Sequence, residues 1–417
     1  MAAVALALAL AAAPSLGRGA GWFPLTPALL PRIEAAAEIV NGRIYQAAGF
    51  VNGAPATQVE RYDIATGRWS LVAPTPVSIN HTSAATYGGK LYLVGGYMGD
   101  PATFVRGDGL SVAIFLEYDP AADRWRELTP PPTKRGAVAT GVIGHKLYVA
   151  GGWNTSEGDL GRLEIYDFRT GRWSRGADMG FARNHVVGTV ADGKLYAIGG
   201  HTGLFITGVV LPYVERYDPA ADRWQRLADL SHPRSGAGVV TVGDRVVVYG
   251  GETREDVVRH TEIFDPRTGL WSPLPDMLTP VHGLGDVSYG NRVYAIAGSP
   301  MPRAGQTQFT EALDIPPLPA AATPRLRISA RPRTIVARRS VRVRFRVTAR
   351  SRAGAARPVA GARVGFAGVR IPTDGRGRAA LVTRLDRAGP HPVRARRRGF
   401  RSGSATVWVR PRPRARR

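Results

Sequence analysis

Short apolar runs that end in small residues recur along most of this chain. Six can be read, at 44–49, 91–96, 147–152, 195–200, 246–251 and 293–298, and their final glycines fall 47, 56, 48, 51 and 47 residues apart. Each run is too short and too β-branched or aromatic for a helix, so the pattern predicts strands. A period near fifty built from strand-sized pieces marks a repeat architecture. A second mark follows each run. Tyr62-Asp63, Tyr118-Asp119, Tyr166-Asp167, Tyr217-Asp218 and Phe264-Asp265 are each followed, six residues after the Asp, by Trp69, Trp125, Trp173, Trp224 and Trp271. The residues between them (Asp-Pro-Ala-Ala-Asp-Arg or Asp-Phe-Arg-Thr-Gly-Arg) carry tight-turn chemistry. A constant count across the turn fixes one hairpin register in every copy.

Paired glycines, Tyr-Asp and a Trp at a set distance resemble the kelch repeat over residues 21–315. The resemblance implies an all-β fold: a six-bladed kelch β-propeller with one four-stranded blade per repeat. The aromatic and glycine marks read as packing between blades, with the glycines permitting close backbone approach. The sixth copy lacks its Trp; Leu313 fills the aromatic slot, and the segment 22–25 (Trp-Phe-Pro-Leu) stands alone near the start. The expectation is that this N-terminal strand completes the last blade and removes an open sheet edge.

Beyond a Pro-rich linker at 316–323, the alternation Val-Arg-Val-Arg-Phe-Arg-Val at 341–347 predicts a half-exposed strand. The stretches 358–366, 373–381 and 404–409 continue the pattern. Residues 324–410 resemble a bacterial Ig-like or carboxypeptidase-regulatory-like domain, which implies a small β-sandwich after the propeller. A basic tail, 411–417, reads as disordered. At the other end, residues 2–13 form an apolar run that suits the core of a secretory signal peptide spanning 1–20, without a positive leading segment, and no stretch is long enough for a transmembrane span. The expected location is secreted or cell-surface.

Charge divides the chain. Of a net +24, residues 321–417 carry 28 Arg, no Lys and two acids, Asp374 and Asp386, which leaves the remainder near neutral. Such a domain suits attachment to an anionic polymer or cell-wall surface, with nucleic acid not expected for a secreted chain. The absence of cysteine excludes disulfides, thiol catalysis and the Tyr–Cys cofactor of kelch-containing copper oxidases. No cofactor is expected.

Candidate chemistry falls at the propeller mouth. Starts of first strands contribute His81, Arg135, Arg183, His185, Arg234 and His282, and rim loops contribute Trp153, His201, Glu252 and Arg254. Arginine forks with an aromatic ring suit an acidic sugar, and a protein loop is the other expected ligand. The leading expectation is non-catalytic binding, since hydrolase and phosphate-loop motifs are missing. The alternative is a mutarotase-type isomerase of an acidic sugar with Glu252 or Glu34 as base; kelch propellers include a six-bladed mutarotase of sialic acid. Three histidines from different repeats show no metal-ligand spacing, so no metal is expected. Asn80-His-Thr and Asn154-Thr-Ser match the glycosylation triplet.

Overall fold

The computed structural model describes residues 21–99, 110–203, 208–303, 305–315, 325–350, 356–398 and 400–412. The signal-peptide, linker and end-of-tail expectations therefore lie outside the described residues. Among the described residues, 21–315 form six four-stranded antiparallel sheets. The first consists of Ala36–Val40, Arg43–Ala47, Val59–Asp63 and Arg68–Val72, and the pattern repeats through Gly238–Val242, Arg245–Tyr249, Thr261–Asp265 and Leu270–Leu274. The innermost strands touch in sequence order, and Gly285–Tyr289 of the sixth sheet touches Ala36–Val40 of the first, which closes the ring.

The sixth sheet is Gly285–Tyr289, Arg292–Ile296 and Thr310–Asp314, with Phe23–Pro24 as its outer strand. Phe23 pairs with Ala312 and Pro24 with Glu311. Trp22, just ahead, is buried; its Nε1 donates to Pro275 O at 3.1 Å and its ring lies 5.1 Å from that of Tyr249.

The six-residue count from Asp to Trp sets this register chemically. Asp63 Oδ1 accepts the Ala65 and Thr66 amides, closing a turn that places Tyr62 directly opposite Trp69, with ring centroids 4.9 Å apart. The other four hairpins hold their pairs at 4.9 to 5.3 Å. Each Trp then reaches the preceding sheet. Trp125 donates to Ala73 O, Trp173 to Thr129 O, Trp224 to Ala177 O and Trp271 to Ala228 O. The indole thus packs as a hydrophobe while its one polar atom joins neighbouring sheets. The paired glycines work at the opposite ends of the strands. Gly199 has φ 61°, and a Cβ there would stand 2.4 Å from Arg234 O of the next sheet, so no other residue fits.

Residues 325–412 form two further sheets. One contains Arg327–Arg331, Ser340–Arg350, Ala356–Pro358 and Arg378–Arg384; the other contains Thr334–Val336, Arg363–Phe366, Val369–Pro372, Gly389–Arg396 and Gly403–Arg410. Val343, Phe345, Val347, Val364, Phe366, Val393 and Val407 from both sheets build one apolar cluster. Arg342, Arg344 and Arg346 alternate with that cluster on the exposed face.

Candidate functional site

Two residues before each innermost strand, one residue per sheet turns toward the axis: Glu34, His81, Ala137, His185, Gly236 and Gly283. All six adopt the left-handed conformation, with φ between 47° and 58°. Their backbones bond head to tail around the axis. Glu34 N donates to Gly283 O, His81 N to Glu34 O, Ala137 N to His81 O, Gly236 N to His185 O and Gly283 N to Gly236 O, at 2.7 to 3.2 Å. Ala137 shares the geometry without any chemistry, so the fold itself demands this conformation. Three of the six positions nevertheless carry a carboxylate or imidazole, at a backbone conformation unfavourable for such side chains.

Loops between the second and third strands share this end of the ring. Bridges from Asn80 to Tyr97, Gly136 to Trp153, Asn184 to His201, Ser235 to Glu252 and His282 to Ser299 hold each loop to its sheet. A cavity of about 460 Å³ along the axis is lined by Glu34, His81, His185, Glu38 and Asp286, with Thr140, Thr189 and Thr241 further along.

The expected residues divide into two groups. His81, His185, His201, His282, Glu252 and Glu34 converge. The His81 and His185 rings lie 4.9 Å apart edge to face, and His201 stacks on His185 at 4.7 Å. His81 Nε2 is 3.5 Å from Glu34 Oε2, and His282 Nδ1 is 3.3 Å from Glu252 Oε1 and 3.8 Å from Glu34 Oε1. Burial pushes Glu34 up to about 7 and Glu252 up to about 8, while it pulls His81 down to about 3 and His282 to about 4. At neutral pH the His81 and His282 imidazoles are uncharged. Trp153 stands at the edge, its ring 6.1 Å from Tyr97, and Arg254 is exposed on its loop.

Arg135, Arg183 and Arg234 belong elsewhere, and their expected place at the mouth is corrected. Each is buried and ion-paired with a third-strand Glu: Arg135 with Glu164, Arg183 with Glu215 and Arg234 with Glu262, as Arg32 is with Glu60. Most of their remaining N–H groups donate to carbonyls, as Arg234 does to Gly250 O, His260 O and His232 O. A guanidinium so enclosed cannot fork a ligand carboxylate. Asn80 and Asn154, which head the two glycosylation triplets, are buried.

Asn80 and Asn184 themselves went unrecognised. Asn80 Oδ1 lies 2.7 Å from His81 Nδ1, and Asn184 Oδ1 2.5 Å from His185 Nδ1. The repeated Asn-His doublet was the available signal. Chain spacing argued against a metal, yet ligand-type atoms of Glu34, His81 and His185 all lie within 4.8 Å of one another. Local spacing is uninformative when ligands come from separate repeats that meet on an axis.

Comparison with known proteins agrees with the repeat marks. A sequence model of the KLHDC2/KLHL20/DRC7 kelch-repeats domain matches residues 80–298, and a kelch-motif model matches 31–76. Kelch-like protein terF of Aspergillus terreus is 29% identical over 236 residues, covering 53% of this chain and 50% of that protein. Kelch-like protein 23 of Mus musculus is 25% identical over 224 residues, 54% of this chain and 38% of that protein. The chain thus spans half or less of these relatives' length. The solved structure of YjhT superposes with a TM-score of 0.58 at 17% identity, over 69% of this chain and 96% of that one, a likeness of fold. With the model match spanning more than half its residues, the chain belongs to the kelch-repeat family.

Proposed function

We propose that this chain is a secreted, non-catalytic binding protein: a six-bladed kelch propeller over residues 21–315 that recognises a protein loop or glycan at its mouth, followed by an Ig-like sandwich that attaches to anionic surfaces. The observation that carries the reading is the make-up of the loop end. Met98, Val209 and Met301, on three different loops between second and third strands, are exposed around a polar floor of His and Glu. Exposed apolar side chains rimming a polar recess on rigid sheets are a common form of binding surface. The exposed arginines of Ser340–Arg350 support the attachment role.

The test is a screen of the purified chain against a glycan array and by cross-linking from a photoreactive residue at position 98 to extracted proteins, repeated with Met301→Asp and Val209→Asp. At least a tenfold loss of capture in both variants is expected. Capture indifferent to both variants would remove the mouth as the binding surface.

A second reading, an acidic-sugar mutarotase-type isomerase, is favoured by one contact. Glu252 and His282 form a buried pair 3.3 Å apart, with the carboxyl poised to about 8, a disposition suited to proton transfer. The loss of the rim arginines to internal ion pairs counts against it, because they were to fix the substrate carboxylate. Anomeric exchange of acidic sugars followed by NMR, with Glu252→Gln as control, decides between the readings.

A further inference from the structure

The side chains on the ring do more than polarise the floor of the mouth. We propose that Glu34, His81 and His185 form a binding site for one divalent transition-metal ion on the ring axis, with His282 and Glu252 as its outer shell.

Four observations carry this, and none depends on what binds at the mouth. First, three separate sheets deliver ligand-type atoms from the same structural position, all within 4.8 Å of one another, with Glu34 Oε2 already 3.5 Å from His81 Nε2. Ligands on a tetrahedral ion with bonds of about 2.1 Å stand roughly 3.4 Å apart, so small side-chain movements complete the set.

Second, the imidazoles are held in the ligand tautomer. Asn80 Nδ2 donates to Tyr97 O at 3.1 Å, and Asn184 Nδ2 donates to Asp159 Oδ1 and to Gly203 O. The amide orientation is therefore set, and each Asn Oδ1 must accept from the His Nδ1–H beside it. In a neutral ring that leaves the Nε2 lone pair directed away from the Asn, and His81 presents it to Glu34. A second-shell acceptor fixing the distal nitrogen is how metal-binding histidines are oriented.

Third, three polar atoms crowd together beside the site. His282 Nε2 faces Met301 O at 2.9 Å and must donate to it, since a carbonyl has no proton to give. Its buried Nδ1, which has no hydrogen bond, lies 3.3 Å from Glu252 Oε1 and 3.8 Å from Glu34 Oε1. A nitrogen and two carboxyl oxygens brought this close in a buried place need a proton or a cation between them. Fourth, glycine clears the space. A Cβ at Gly283 would stand 2.6 Å from Glu34 Oε1.

Two neutral imidazoles and one carboxylate select the Zn²⁺, Fe²⁺ or Co²⁺ class over Mg²⁺ or Ca²⁺, which favour all-oxygen shells. Outer-shell carboxylates beside such an ion orient its ligands and any bound water.

The test uses the untagged full chain, stripped with chelator and titrated with CoCl₂ (visible d–d absorption) and with ZnCl₂ (calorimetry). About one equivalent is expected to bind, with a rise in melting temperature. His81→Gly and His185→Gly are well-matched variants, because Gly236 and Gly283 already occupy equivalent ring positions at the same φ. Each should weaken binding at least a hundredfold while the metal-free protein melts no lower than the parent. His260→Gln removes one ring of the surface His232–His260 stack and should change nothing. Absence of binding by both ions would overturn the proposal. So would binding that survives both glycine variants or is lost in His260→Gln.

Discussion

Replacing Arg234 with Met tests whether the buried Arg–Glu pairs hold the sheets together or merely fill space. The guanidinium is fully buried and makes four contacts: Glu262 Oε1 at 2.7 Å, His260 O at 2.7 Å, Gly250 O at 3.1 Å and His232 O at 3.2 Å. These join the strand entrance, the end of the second strand and the start of the third. Met covers much the same volume as the arginine stem, so little cavity cost enters. What remains is a buried carboxylate kept only by Ser231, through its amide and hydroxyl on Oε2. Stranding one partner of a buried pair costs about 3–5 kcal/mol, and the orphaned Gly250 carbonyl about 1 more. The expected loss of about 5 kcal/mol is a large share of a typical 5–15 kcal/mol stability. At roughly 0.6 kcal/mol per degree for about 300 residues, the melting temperature should fall by about 8 °C. Far-UV circular dichroism and urea melts measure both. Adding Glu262→Leu should recover most of the loss, since an apolar replacement of the whole pair is close to neutral. A single variant that loses less than about 1 kcal/mol, or a double variant no better than the single, would refute the reasoning.

The sixth sheet offers the converse case: Val281 occupies the arginine's place, and burial raises the pKa of Glu311, whose Oε2 has no hydrogen-bond partner. A carboxyl raised on folding stabilises fully below its unfolded value near 4.3, and that contribution fades as pH climbs through the folded value. Glu311→Gln should therefore gain on the parent as pH rises above the unfolded value; a difference that stays flat with pH in urea melts would contradict this. Trp224→Phe keeps the ring against Tyr217 but removes the donor to Ala177 O, and should cost about 1–2 kcal/mol in urea melts, with no loss meaning that the inter-sheet bond is idle. Changing Arg342, Arg344 and Arg346 together to Ser should lower the log–log salt slope of heparin binding by about 2–3 with the fold intact; an unchanged slope would place any attachment elsewhere.

The aromatic and glycine marks were legible in the sequence because each acts within one repeat. Tyr62 and Trp69 face each other across a turn whose length is written in the chain, and the orphan Trp22 pointed to the pairing of Phe23–Pro24 with the last sheet. The arginines misled because a residue that follows a turn can continue to the rim or fold back beneath it. Glu262 decides in favour of the second course for Arg234, and it lies 28 residues further on. The axial cluster was harder still. Glu34, His81 and His185 are far apart in the chain, and their single shared property is a fixed offset of two residues before an inner strand. Only once the strand starts are known does that offset become visible.

The joint between Phe23–Pro24 and Thr310–Asp314 has a consequence for how this molecule is made. Of the strands of the ring, a ribosome releases the outer strand of the sixth sheet first and its three partners last. The first five sheets can form as they emerge, but the circle stays open until residue 314 has left the exit tunnel. Trp22 lacks its docking place until the fifth sheet is out, because Tyr249 and Pro275 emerge only with it. Assembly of the ring thus ends with a single long-range capture of a two-residue strand. The seam it makes spans nearly the whole length of the ring domain, and trimming the chain past residue 22 would unlatch the circle without touching any repeat.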